Sequence, residues 1–215
     1  MGTTTRLTVY NDALILLGER SLASLTENRE PRRLLDQVWN NDGVDACLEE
    51  GQWHFATRGV RLDYDPAAST EFGYQYVFNK PSDWIRTEAV CTDEWFNVPL
   101  TRYGDESGYW YSDEQILYIK YVSNDAFYGN NLAIWPRSFS EFVSAHFAWK
   151  IAFKLGGESL MKEMISVRDE MLRRAKNKAA ADESTKFPAR GSWVNARQRY
   201  GGPTDGGNRG GSLIG

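Results

Sequence analysis

At 215 residues and 24.5 kDa the chain is long enough to bury one core, or one core with a smaller satellite, without disulfides or metals to hold it. A net charge of −4 and a pI near 5.3 exclude a broad basic face for gripping nucleic acid, and two cysteines exclude a disulfide framework. Aromatic residues make up 13% of the chain, with 8 Trp, a density that serves interfaces as well as cores.

The start carries Arg6 but no apolar run before Asn11, so no signal peptide is expected. The longest apolar stretch, Ala13 to Leu17, is far short of the roughly 20 residues of a membrane helix. The expectation is synthesis in a reducing cytoplasm, with no membrane span.

Leu7, Tyr10, Leu14 and Leu17 recur at three and four residues and stop at Gly18, which predicts a short amphipathic helix. Pro31 suits a first helical turn, and Leu35, Val38, Trp39 and Ala46 continue one face towards Glu50-Gly51. This predicts a second helix, with Gly43 as a weak point inside it.

From Arg58 to Val122 the period becomes alternation. Val60, Leu62 and Tyr64, then Tyr74, Tyr76 and Phe78, then Ile116, Tyr118 and the run Ile119 to Val122 read as strands. Turn residues separate them at Asp65-Pro66, Asn79-Lys80-Pro81, Tyr103-Gly104-Asp105 and Glu106-Ser107-Gly108. One small antiparallel sheet of about four to six strands is expected.

Helix returns after Trp135-Pro136. Phe139, Phe142, Val143, Phe147, Trp149 to Ala152 and Leu155 are apolar around nearly the whole circumference, which marks a buried central helix ended by Gly156-Gly157. Leu160, Met161, Met164, Ile165, Val167, Met171 and Leu172 form the stripe of a second, half-exposed helix that fades into Arg173 to Glu183.

From Ser184 the composition breaks: the last 32 residues hold 8 of the 19 glycines, and Lys186, Arg190, Arg197, Arg199 and Arg209 stand against Asp205 alone. The tail therefore carries +4 and the body −8. Such a segment is expected to be mobile in the isolated protein. Phe187, Trp193, Val194, Tyr200, Leu213 and Ile214 are nonetheless unusual in a linker and read as anchors for a partner.

The fold class read from these elements is α+β: an antiparallel helical bundle (residues 1–57 and 126–183) with an inserted small antiparallel β-sheet (58–125) and an extended flexible C-terminal tail (184–215).

Catalytic chemistry finds little support. His54 sits in a Trp53-His54-Phe55 cluster and His146 in the most apolar helix; with no second-ligand pattern beside either, both read as satisfied core or boundary residues. Cys47 and Cys91 lie 44 positions apart, form no C-x-x-C, and read as small apolar residues. The Asn40-Asn41-Asp42-Gly43 stretch fails as a calcium loop because its first ligand position falls on Val38. Gly201-Gly202 and Gly206-Gly207 lack the strand, helix and Lys-Ser/Thr pair of a phosphate cradle. Asp63, Asp65 and Asp105-Glu106 read as solvated turn and edge carboxylates against the alternative of a hydrolytic pair. Tyr109-Trp110-Tyr111 with Trp95-Phe96 reads as core or subunit interface, with a sugar-stacking platform as the alternative. No enzyme activity, cofactor or metal is expected.

Three local patterns remain. A helix ends in Gly51-Gln52-Trp53-His54-Phe55-Ala56-Thr57-Arg58 and passes straight into a strand. Tyr74-Gln75-Tyr76-Val77-Phe78 is followed by Lys80-Pro81-Ser82-Asp83-Trp84-Ile85-Arg86. Tyr118-Ile119-Lys120-Tyr121 precedes Pro136 to Leu155 and then Gly156 to Asp182. In this order they resemble the head-to-tail adaptors of short-tailed phages and gene transfer agents, the tail tubular protein A family, over about residues 5 to 185, with a looser match at Trp193 to Arg199. Lys80 departs from the Leu that the family often places before the Pro, and His54 from a commoner Asn.

The resemblance implies a structural protein of the virion head–tail junction, made in the host bacterial cytoplasm. It implies a homo-oligomeric ring, a dodecamer, docked on the portal protein and joined below to the tail nozzle or next tail protein, with DNA only as passing cargo. Phe187, Arg190, Trp193, Arg197 and Tyr200 are the expected portal-binding residues. An acidic ring lining would let DNA slide without sticking. The rival is an aromatic-rich β module that recognises glycan or peptide.

Overall fold

A computed structural model describes residues 4–41, 43–70 and 73–182, all within the compact unit Met1–Glu183. The described protein is α+β, with four helices, two small antiparallel sheets and a long final helix.

Helix α1 (Arg6–Leu16) starts where Thr5 and Thr8 cap each other: Thr5 Oγ1 accepts the Thr8 N–H at 3.2 Å and Thr8 Oγ1 accepts the Thr5 N–H at 2.8 Å. It ends at Gly18, whose φ of 71° lets the Glu19 N–H reach the Leu14 carbonyl at 2.9 Å. Val9, Tyr10, Ala13 and Leu14 face the core.

The second predicted helix is two helices, α2 (Glu30–Asn40) and α3 (Gly43–Glu49). Asn41 leaves helical geometry at ψ 48°, and Gly43 lies so close to α2 that a Cβ on it would stand 2.5 Å from the Val38 carbonyl oxygen. Gly43 is therefore a start and not a weak point within one helix. Asp36 of α2 binds α1, accepting from Arg6 Nη2 at 2.6 Å and the Tyr10 hydroxyl at 2.9 Å.

Six strands follow: β1 (Thr57–Asp63), β2 (Tyr76–Asn79), β3 (Trp84–Cys91), β4 (Gly104–Glu106), β5 (Tyr109–Ser112) and β6 (Ile116–Ser123). The single sheet expected from sequence is two sheets, in the orders β1-β6-β3 and β2-β5-β4. Each has an apolar face, and packing the two together buries both: Phe78 and Trp110 of one sheet share a core with Val90, Leu117, Ile119 and Tyr121 of the other.

After a 3-10 turn (Leu132–Ile134), helix α4 runs from Arg137 to Asp182 and is interrupted at Gly157 (φ 74°, ψ −163°). In an unbroken helix Phe139 and Ala175 would stand roughly 54 Å apart. Instead they line one cleft, and the Arg168 guanidinium lies 5.2 Å from the Trp149 ring. The arms of α4 thus fold back on each other at Gly157. Phe139, Phe142, Val143, Phe147 and Ile151 of the first arm join Met164 and Ala175 of the second in a core shared with α1, α2 and α3. Among the described residues no helix is long and apolar enough to cross a membrane.

Candidate functional site at the helix–sheet junction

Where the helical core meets the sheets, the Asp83 carboxylate gathers groups distant in sequence. It accepts from Ser123 Oγ at 2.5 Å, from Arg58 Nη1 at 2.9 Å and from the Tyr121 hydroxyl at 3.2 Å. These groups meet because β6 lies between β1 and β3: Arg58 opposes Tyr121 across one edge, and Trp84, next to Asp83, opposes Ser123 across the other. Backbone bonds close the knot, from the Ser123 N–H to the Ala56 carbonyl (2.9 Å) and from the Asn124 N–H to the Asp83 carbonyl (3.0 Å).

Burial opposes the charged form of Asp83, but the hydrogen bonds from Ser123 and Arg58 outweigh it and hold the carboxyl below its ordinary pKa. Burial, with the Asp83 charge beside it, pushes the Tyr121 hydroxyl up to about 12. Asp83 is therefore a permanent acceptor and Tyr121 a permanent donor at neutral pH, which suits a fixed joint better than proton exchange.

The helical side is equally tied. Trp53 Nε1 donates to the Leu48 carbonyl at 3.0 Å, and both Trp53 and Phe55 set their rings 4.8 Å from Phe139 at the start of α4. Asn124 Nδ2 donates to Asp45 of α3 at 2.8 Å. Trp135 Nε1 donates to the Gly129 carbonyl at 2.7 Å and rests edge-on against Phe139.

A second cluster sits between the sheets. Lys80 forms an ion pair with Asp105 and lies 3.7 Å from the Trp84 ring. Thr87 Oγ1 accepts from the indole N–H groups of Trp84 and Trp110, each at 3.1 Å, and donates to Asp105 at 2.9 Å. Asp105 is thus a structural acceptor.

Asp63 and Asp65, also singled out in the sequence, are occupied too, and Glu106 is exposed. Asp63 pairs with Arg61 at 3.1 Å, and Asp65 accepts from the Ala67 N–H (2.9 Å) and Asn79 Nδ2 (2.7 Å). Trp110 and Tyr111 are buried, so these two rings present no face to a sugar; Trp95 is exposed. Cys47 and Cys91 are both buried.

His146 is buried but not satisfied: among the described residues neither ring nitrogen has a hydrogen-bond partner. Phe142, Phe147 and Trp149 surround it, so its own helix and neighbours offer rings where a partner was expected. No group of three or more His, Cys, Asp and Glu among the described residues is placed to hold a metal ion. Phe187, Arg190, Trp193, Arg197 and Tyr200, and with them the expected tail, lie outside the described residues.

No protein-family model matches the chain, and no curated protein matches it. The site therefore has to be read from its own geometry. Arg58, Asp83 and Tyr121 were each legible inside one of the three patterns, but their meeting, and the part of Ser123 in it, was not, because strand pairing, and not spacing, brings them together.

Proposed function

We propose that this chain is a structural head-to-tail adaptor of a tailed phage or phage-like particle, a ring-forming subunit that docks on the portal and links it to the tail. What carries the reading is the meeting at Asp83. Arg58 comes from the first of the three family-like patterns, Asp83 from the second and Tyr121 from the third. Residues that carry the resemblance thus meet at one carboxylate on the sheet β1-β6-β3, a fixed constellation of the kind a rigid structural subunit needs. The exposed apolar side chains Ile15, Trp95, Val98, Phe127 and Phe153 supply surface for neighbours.

In this reading the helices form an antiparallel bundle carrying the β insertion. Residues 184–215 supply the portal contacts through Phe187, Arg190, Trp193, Arg197 and Tyr200, and the acidic body faces passing DNA. The portal, the next tail protein and further copies of the chain are the partners, in a twelve-fold ring at the head–tail junction. The test is a truncation after Glu183 measured for folding by circular dichroism and for portal binding by co-sedimentation. The expected result is a folded protein that no longer binds; undiminished binding rules out the tail as the docking element.

A further inference from the structure

Two surface features are not used by the junction. One is the loop between β3 and β4. Its Asp93 carboxylate accepts the N–H groups of Asn97 at 3.0 Å and Val98 at 2.7 Å, and the Thr92 N–H donates to the Val98 carbonyl at 3.2 Å. Phe96 adopts φ 57°, a left-handed conformation that strains an aromatic residue. Its ring lies 4.3 Å from Lys120 Nζ and packs beside Gly59. Turning Phe96 inward turns Trp95 outward, where it is 74% exposed, next to exposed Glu94 and near Val98 at 55%. Strain of this kind persists only where the surroundings enforce it, and here it fixes the backbone from which Trp95 and its acidic neighbour project.

The other feature is a cleft of about 340 Å³ between α2, α3 and the first arm of α4. Leu34, Val38, Ala46 and Ile151 give it apolar walls, and Lys150 and Lys154 stand on it. Neither lysine has an ion pair among the described residues. The cleft asks for an apolar group beside a negative charge, and the Trp95 loop carries that pair.

We propose that the Trp95 loop of one copy docks into the Leu34–Ile151 cleft of a second copy, with Glu94 facing Lys150 and Lys154. The loop and the cleft belong to different elements, so each copy offers both halves and the contact is heterologous, the kind that builds rings or filaments. Trp95 is the anchor of the contact, and the lysines add charge attraction and a cation–π surface. The ring it would build rests on the adaptor reading; the contact between copies does not.

The experiment is sedimentation of the full chain up to about 1 mM, a concentration that detects even millimolar association. Wild type is expected to associate, and Trp95→Ala to weaken association at least tenfold. Glu94→Lys alone and the double change Lys150→Glu with Lys154→Glu alone are expected to stay monomeric, and an equimolar mixture of these two variants to associate again. That rescue also shows that both variants are folded. A wild-type chain that stays monomeric, or a mixture that fails to recover, overturns the proposal. The same variants offered to the portal separate the two readings: association that follows the charge swap without portal binding sinks the adaptor and keeps the contact, and portal binding with no response to the swap does the reverse.

Discussion

At the scale of single residues, half-buried Asp83 and buried His146 show opposite ways of housing a polar side chain. Asp83 is fully engaged, so Asp83→Ala leaves Ser123, Tyr121 and Arg58 without their acceptor; the expected loss is about 2–4 kcal/mol of stability, measured by urea unfolding. A loss under about 0.5 kcal/mol would show that the junction is not a stabilising joint. His146 has no such compensation. Burial, with the charges of Arg168 and Lys150, pushes its pKa down from 6.5 to about 4. Between these values the unfolded chain takes up a proton that the folded chain refuses, so stability falls as the pH drops through that window and is unaffected by this group above it. The difference amounts to about 3 kcal/mol by pH 4. His146→Leu is expected to remove that part of the acid sensitivity, seen as a smaller gap between unfolding curves at pH 7 and pH 4.5. An unchanged gap would assign the acid sensitivity to other groups.

At the scale of elements, Gly157 decides whether α4 is a rod or a hairpin. A Cβ there would meet nothing within 4 Å, so the cost of Gly157→Ala is conformational: its backbone region is open essentially to glycine alone. The expected penalty is about 1–3 kcal/mol, read as a lower unfolding midpoint with the helical signal retained. The break at Gly156-Gly157 was legible because both flanking segments keep a helical stripe. Strand β3 was not legible: its pairing with β6 slips between Trp84 and Arg86 and again between Thr87 and Ala89, and each slip resets the alternation on which recognition of a strand depends. The division into two sheets was hidden for a related reason, since alternation reveals which face is buried but not which strand is the neighbour. The break before α3 was hidden because Gly43 is needed for a close approach to Val38, a contact that leaves no periodic trace.

At the scale of the whole molecule, the composition and the order of elements were enough to read α+β and the placement of strands between helices. The cluster at Asp83 was only half visible: Arg58, Asp83 and Tyr121 stood in three separate patterns, and nothing in the sequence joined them. The adaptor proposal joins that cluster, the exposed apolar side chains and the contrast between a −8 body and a +4 C-terminal segment into one assembly. The charge contrast adds a test of its own. If acidic residues line the channel, assembled rings are expected to retain no double-stranded DNA in filter binding at about 0.1 M salt, where screening still leaves charge effects over about 10 Å. Tight retention would contradict an acidic lining.

Ring formation on the portal is visible by electron microscopy of the chain mixed with the portal protein of the same particle, with each protein alone as control. The expected image is a ring of added density on one face of the portal, whose symmetry gives the number of copies. A portal left bare beside a chain that remains monomeric would contradict the adaptor reading.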